Sequence, residues 1–231
     1  MTPGVFITGT DTGVGKTLVG CALIHALTAR GMKVLPMKPI AAGAVIHDGG
    51  WANEDSIALL RAADGHPARM RDVTPVLLRQ PMAPHIAAAR ENRRITLEPI
   101  LASYRKLAGE AEFMVVEGVG GFRVPLDVDL DTVDLARAIG LPMLLVVGLR
   151  LGCLNHALLT ADAIRAAGLP FAGWIANAVD PDMAVPMENI AALEDRLDAP
   201  LLGRFPFGSP PDARQLAAAI DAAALLGKGR A

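Results

Sequence analysis

GTDTGVGKT, residues 9–17, lies between a strand-length apolar run, VFIT at 5–8, and a segment of helical periodicity that opens at Lys16. Glycines that turn the chain between a strand and a helix, ending in Gly-Lys-Thr, are the layout of a phosphate loop. Backbone N–H groups in such a loop point inward, and the helix N-terminus adds a partial positive charge. Gly13 and Gly15 let the backbone approach an anion, Lys16 suits β- and γ-phosphates, and the Thr17 hydroxyl suits Mg²⁺. The strict pattern needs a glycine five places before Gly15, however, and Thr10 stands there; Gly9 is one residue too early. A glycine-rich turn that merely caps a helix is the plainer alternative, and Gly-Lys-Thr directly after a strand weighs against it.

The alternation continues outward from this loop. Over 16–30, Val19, Leu23 and Leu27 share one helical face, and Gly31 is placed as a C-cap. KVLPMK at 33–38 is the next strand, and Pro36, which cannot donate a ladder hydrogen bond, assigns it to an edge or a bulge. Further helices are expected over 54–63, 84–91, 97–109, 131–139, 155–167, 186–197 and 212–226. Further strands are FMVVE at 113–117, MLLVVG at 143–148, FAGWIAN at 171–177 and PLLGRF at 200–205. Nearly continuous apolar strands alternating with helices imply a mostly parallel sheet covered on both faces, a P-loop NTPase-like α/β fold. Residues 44–53 and 118–130, rich in Gly, Asp and Pro, read as surface loops. No repeat or linker interrupts the 231 residues, so one domain is expected over 1–231, with 226–231 a flexible tail.

Composition removes several function classes. Aromatics are only 4% of the chain and the net charge is −2, so neither a stacking platform nor a basic track for nucleic acid is expected. The longest apolar run, LPMLLVVGL at 141–149, is far short of the roughly 20 residues that span a bilayer. The first strand follows the N-terminus directly, with no targeting segment, so a soluble cytoplasmic protein is expected. Cys21 and Cys153, without metal-ligand or redox spacing, read as reduced thiols.

The string T-D-T-G-V-G-K-T resembles the variant phosphate loop of dethiobiotin synthetases. KPIAAG at 38–43, MAPHIAA at 82–88, VVEGVGG at 115–121, VVGLRLGCLNHALLT at 146–160, GWIAN at 173–177 and APLLG at 199–203 are similar to further segments of that family, in the same order. The resemblance covers nearly the whole chain. It implies a homodimeric ligase in which ATP and Mg²⁺ drive CO₂ into 7,8-diaminononanoate, closing a cyclic urea in biotin biosynthesis.

The resemblance also implies site residues. Lys16, Lys38 and Thr12 are the catalytic set. Gly13, Val14, Gly15, Lys16, Thr17 and Leu18 hold the nucleotide phosphates, with Gly118, Val119 and Gly120 beside them. Asn177, Ala178, Phe205, Pro206 and Phe207 are its adenine-side contacts, although core packing is a fair alternative for the two phenylalanines. Thr17, Asp55 and Glu117 are the metal ligands. Lys38 and Ala42 meet the substrate, and Gly152, Cys153, Leu154 and Asn155 seat its carboxylate in the neighbouring subunit.

The residues themselves bear on these roles unequally. A carbamate must meet the γ-phosphate, which requires concentrated positive charge. Lys38 ends a strand expected to lie beside that of the phosphate loop; a solvated lysine is the alternative. Glu117 closes an apolar strand, where an acid is costly unless it faces a cation. Asp55 is equally readable as a helix N-terminus complementing the dipole, and Gly152 as an ordinary helix start. His85 reads as a structural hydrogen-bonder.

Two positions depart from the family pattern. Ala42 stands where a Ser or Thr is common, removing one donor worth about 0.5–1.5 kcal/mol. Gly13 replaces an acid seen in some members. A partition or division-site ATPase of the same superfamily, a spatial organiser, is the rival reading. Those proteins carry a lysine five residues before the loop lysine, where this chain has Asp11. An amide-forming ligase of the cobyrinate type would need a glutaminase domain for which the chain has no room.

Overall fold

The computed structural model describes residues 2–63, 70–208 and 212–226; the expected tail beyond Leu226 lies outside them. The chain runs β1 (Gly4–Gly9), α1 (Lys16–Thr28), β2 (Val34–Met37), β3 (Ile40–Ala42), β4 (Val45–His47), β5 (Gly50–Ala52), α2 (Glu54–Ala62), α3 (Met70–Val73) and β6 (Val76–Leu78). It continues through α4 (Pro84–Arg90), α5 (Leu97–Ala108), β7 (Phe113–Glu117), β8 (Pro125–Asp127), β9 (Leu130–Asp131), α6 (Thr132–Ile139) and β10 (Met143–Leu149). It closes with α7 (Cys153–Ala166), β11 (Phe171–Ala178), α8 (Pro186–Glu194), β12 (Leu201–Phe205), α9 (Ala213–Leu216), a short 3₁₀ turn at Ala217–Ala219 and α10 (Ala222–Leu226).

Six strands form a parallel sheet in the order β12-β11-β10-β1-β7-β2. β7 and β10 are buried along their whole length, which is why their sequences lack polar alternation. Apolar side chains leave the sheet in both directions. Phe6, Met114, Val116 and Met143 pack under α4, α5 and α6, whereas Val5, Ile7, Val115 and Leu144 pack against α1. Leu145, Val147 and Trp174 meet α7 and α8. Helix α1 buries Val19, Ala22, Leu23, Ile24 and Leu27 and is apolar nearly all round, because α2 and α9 cover the side away from the sheet.

Several expectations change in detail. β2 is an edge strand, as Pro36 demands, but β7 separates it from β1, so Lys38 reaches the phosphate loop across an intervening strand. Segment 44–53 contains the antiparallel hairpin β4–β5, and 118–130 contains β8, paired with β9. The expected helix 212–226 is broken: Ile220 leaves helical geometry to bridge Gly203 on the edge strand β12. Helix α7 begins at Cys153 rather than residue 155, and α8 stops at Glu194. β3 and β6, an unexpected two-stranded ribbon, carry Ala42 toward the site.

Candidate active site

The carboxyl ends of β1, β2 and β7 place the loops that follow them around one cavity of about 900 Å³. This is where parallel α/β sheets bind ligands, because strand ends and helix N-termini converge there. Its floor is the phosphate loop. Thr10 continues β1 by donating its N–H to the Val146 carbonyl at 3.0 Å, and its hydroxyl accepts from the Gly148 N–H at 3.4 Å. The position where the common pattern has glycine is thus an extension of the sheet, and a side chain there ties the loop to β10. Gly15 does need to be glycine. Its φ is +92°, and an added Cβ would come within 2.2 Å of the Asn177 amide nitrogen.

Lys38 is the hub of the cavity wall. Its ammonium lies 2.5 Å from Glu117 Oε1 and 2.9 Å from an Asp55 oxygen, and donates to the Gly118 carbonyl at 3.2 Å. Glu117 is buried to 1% exposure and also accepts from the Thr17 hydroxyl at 3.0 Å. Burial pushes the Glu117 carboxyl upward, against the pull of Lys38. Burial acts on Lys38 in the opposite direction, but two carboxylates outweigh it and hold the ammonium charged. Asp55 would also be raised by burial, and its bond to Lys38 brings it below the usual range. A solvated lysine at a strand end is therefore excluded for Lys38.

Asp55 takes the helix-start position that its sequence allows and also turns its carboxylate to Lys38. It sits in the first turn of α2, and Asn53 fixes that turn by accepting the Asp55 N–H at 3.1 Å while donating to the Gly43 carbonyl at 2.8 Å. Lys16 is also buried. Desolvation lowers its pKa to about 8, with Glu117 opposing the shift and Lys38 adding to it. Its ammonium folds back onto the Asp11 carbonyl oxygen at 2.9 Å. Thr12, Gly13, Ala42, Val119 and Gly120 line the same cavity.

Glu117 Oε2 is buried without a hydrogen-bond partner. An orphaned carboxylate oxygen beside a threonine hydroxyl and a second carboxylate suits a hard cation. Among the described residues no cluster of three or more His, Cys, Asp or Glu side chains stands ready for a metal. Two carboxylates and one hydroxyl instead fit Mg²⁺, which keeps waters and takes phosphate oxygens for its remaining positions.

The remaining expected residues lie apart. Asn177 is buried, and its amide nitrogen donates to the Val14 carbonyl at 2.8 Å, so one of the two groups expected to read a base braces the loop. Ala178, Phe205, Pro206 and Phe207 line a separate apolar cavity of about 380 Å³ with Met183 and Ile190. Phe205 is core and Phe207 is half exposed. Leu18 packs against the α1 core. Gly152, Cys153, Leu154 and Asn155 line neither cavity, and the Cys153 N–H, expected to be free, donates to the Arg150 carbonyl at 3.0 Å. Sequence reading missed Arg150 itself, whose guanidinium pairs with Asp11, the position that holds lysine in the rival ATPases. Both cysteines are free and buried, and burial pushes the Cys21 thiol up to about 12. His85 faces the Pro125 carbonyl oxygen at 3.2 Å. No helix among the described residues is long and apolar enough to cross a membrane.

Comparison with known proteins adds an independent line. A family model described as an AAA domain matches residues 3–213. A protein of Nitrosospira multiformis named ATP-dependent dethiobiotin synthetase BioD is 52% identical over 223 residues, covering 96% of each chain. A protein of the same name from Aromatoleum aromaticum is 52% identical over 215 residues, 93% of this chain and 95% of its own. Among solved structures, the cell division protein MinD of Aquifex aeolicus superposes with a TM-score of 0.60 at 16% identity, over 99% of both chains. The cell division ATPase MinD of Pyrococcus furiosus gives 0.57 at 22% identity, over 96% of this chain and 90% of its own. At such identities these two structures speak to the fold alone.

Proposed function

The chain belongs to the dethiobiotin synthetase family, and we propose on that footing that it is the ligase of biotin biosynthesis that joins CO₂ to 7,8-diaminononanoate at the expense of ATP. The observation that carries the reading is the cluster of Lys38, Asp55 and Thr17 around the buried Glu117 carboxylate beside Lys16. A spatial-organiser ATPase is disfavoured by the pairing of Asp11 with Arg150, which leaves an acid where those proteins place a cation.

The proposed chemistry proceeds in three balanced steps. One substrate amine attacks CO₂ and loses a proton, giving a carbamate. A carbamate oxygen attacks the γ-phosphorus, and ADP leaves, giving a carbamic-phosphoric anhydride. The second amine attacks the carbonyl carbon, closes the ring, loses its proton and expels phosphate.

The second step brings two anions together, so its barrier is electrostatic. Lys38 is held charged by Glu117, Asp55 and the Gly118 carbonyl, which take all three of its N–H donors, so it turns to the carbamate and the γ-phosphate by releasing a carboxylate, a release that a cation taken up by Asp55 and Glu117 would favour. Lys16 is soft in the opposite sense. With its pKa near 8 in the free protein, it becomes fully charged when phosphate arrives. The loop N–H groups of Gly13 to Thr17 receive the phosphates, and Thr12 presents a hydroxyl to the same cavity. Thr17, Asp55 and Glu117 would hold Mg²⁺, which would neutralise phosphate charge; the MinD of Pyrococcus horikoshii is complexed with Mg-ADP. Ala42 offers the substrate no hydroxyl.

A homodimer is part of the proposal. The helix start at Gly152–Asn155 lies outside the phosphate cavity of its own chain, and a second copy would present the N–H groups of Leu154 and Asn155 to the substrate carboxylate. Ala178, Phe205, Pro206 and Phe207 supply the apolar wall for adenine.

The test is ADP release by purified protein with Mg·ATP and bicarbonate, with and without the diamine. The proposal expects release to depend on the diamine, with a cyclic urea as product by mass. Slow ATP hydrolysis indifferent to the diamine would overturn it.

A further inference from the structure

The charges inside the cavity are committed. Lys38 belongs to Glu117 and Asp55, Asp11 to Arg150, and Lys16 to the phosphate loop. Among the described residues a further cation on this wall has its carboxylate partner outside the cavity. Arg123 follows the Gly120–Gly121 turn and lines the cavity, with a side chain 71% exposed. Among the described residues its ion-pair partner is Asp131, 2.8 Å from Nε. That carboxylate is rigid, because its other oxygen accepts the Val133 N–H at 2.8 Å and the Asp134 N–H at 3.2 Å as the N-cap of α6. The guanidinium is thus held by an ion pair on its Nε side, and among the described residues its terminal nitrogens make no hydrogen bond. Pro81, Met82, Pro84 and Val124 line the same cavity and give it an apolar wall.

We propose that Arg123 selects the substrate by its carboxylate. The inference rests on the reading that the substrate is a diamine carrying a distal carboxylate. A planar guanidinium whose ion-pair partner lies on its Nε side can turn its terminal N–H groups to a carboxylate. The apolar wall suits the methylene chain between the amines, which must face Lys38 and the γ-phosphate, and the acid, which must find a cation outside that crowded centre. A carboxylate accepts several hydrogen bonds, so Arg123 and a helix start from a second copy can share it. Arg123 touches the tail of the substrate and not the reacting atoms, so it acts on binding.

The test compares wild type, Arg123→Ala and Arg123→Lys with 7,8-diaminononanoate and with the same vicinal diamine on a chain ending in methyl, read as a substrate or as a competitive inhibitor. For the carboxylate substrate, Arg123→Ala should raise KM about tenfold, with kcat and the KM for ATP unchanged, and Arg123→Lys should recover part of the loss. For the methyl-terminated diamine, wild type and Arg123→Ala should be indistinguishable. An unchanged KM, or an equal rise for both diamines, would overturn the role of Arg123 and leave the ligase reading intact. Wild-type protein that turns over neither diamine would overturn both.

Discussion

Replacing Lys38 by Met keeps an unbranched apolar stem and deletes the charge on which two carboxylates depend. Glu117, at 1% exposure, would be left with the Thr17 hydroxyl at 3.0 Å as its remaining close partner. Removing one member of a buried ion pair costs about 3–5 kcal/mol. Asp55, 42% exposed, regains hydration, and Glu117 escapes part of the cost by taking a proton, so about 2–4 kcal/mol is expected near pH 8. For a chain of this length that lowers Tm by roughly 4–16 °C. The pH dependence identifies the cause. Burial already raises the Glu117 carboxyl, and the variant loses the main opposing pull, so its folded pKa rises further. A carboxyl raised above its unfolded value destabilises progressively as pH climbs from the unfolded pKa to the folded one. The Tm gap between wild type and Lys38→Met should therefore be small at pH 5 and wide at pH 8. Millimolar Mg²⁺ should narrow it at pH 8 by giving the two carboxylates a cation. Scanning calorimetry over that range, with and without Mg²⁺, measures both effects. A gap independent of pH would refute the claim that a buried carboxylate held by Lys38 organises the site.

Four further outcomes follow from individual residues. ATP phosphates favour charged Lys16, whose pKa is about 8 in the free protein, so ATP binding at pH 9 should take up a proton from buffer and weaken as pH rises further; calorimetry in buffers of different ionisation heat reads this directly. The same depression means that the free protein gains stability from this group between about pH 8 and the unfolded lysine value, since the unfolded chain binds more protons there. Asn177→Ala orphans the Val14 carbonyl, so stability should fall by about 1–2 kcal/mol and ATP and GTP should weaken by equal factors in titrations, whereas a loss confined to ATP would make Asn177 a base reader. Ala42→Ser restores a hydroxyl on the cavity wall and should lower the KM for the diamine about two- to tenfold at constant kcat.

The architecture was legible because its strands are buried on both faces and its helices begin at strong signals. VFIT, FMVVE and MLLVVG read as sheet interior, and Pro36 alone limited its strand to an edge or a bulge, of which the edge is what forms. Strand order was not legible: nothing local in KVLPMK tells that β7 inserts between it and β1, because order is settled by crossovers distant in sequence. The break at Ile220 was hidden by a run of alanines that favours helix at every position, and it is overridden by a backbone bridge to Gly203. The hairpin β4–β5 was masked by the glycines and aspartate of its own turn. In the site, Lys16, Thr17, Lys38 and Glu117 were singled out from motif and position and Asp55 from the family resemblance alone, and the fold brings the five together. Arg150 and Arg123 were not, since each takes its meaning from Asp11 or Asp131, partners that no spacing rule connects to it. The free N–H expected at Cys153 was lost to one extra turn-like bond, which only three-dimensional geometry reveals.

The central claim is that the γ-phosphate is transferred to a carbamate oxygen. Bicarbonate labelled with ¹⁸O, supplied with Mg·ATP and the diamine and quenched before exchange with water, tests it in one measurement. Inorganic phosphate released with the product should carry one labelled oxygen, because the C–O bond broken at ring closure leaves that oxygen on phosphorus. Unlabelled phosphate formed together with the cyclic urea would contradict it.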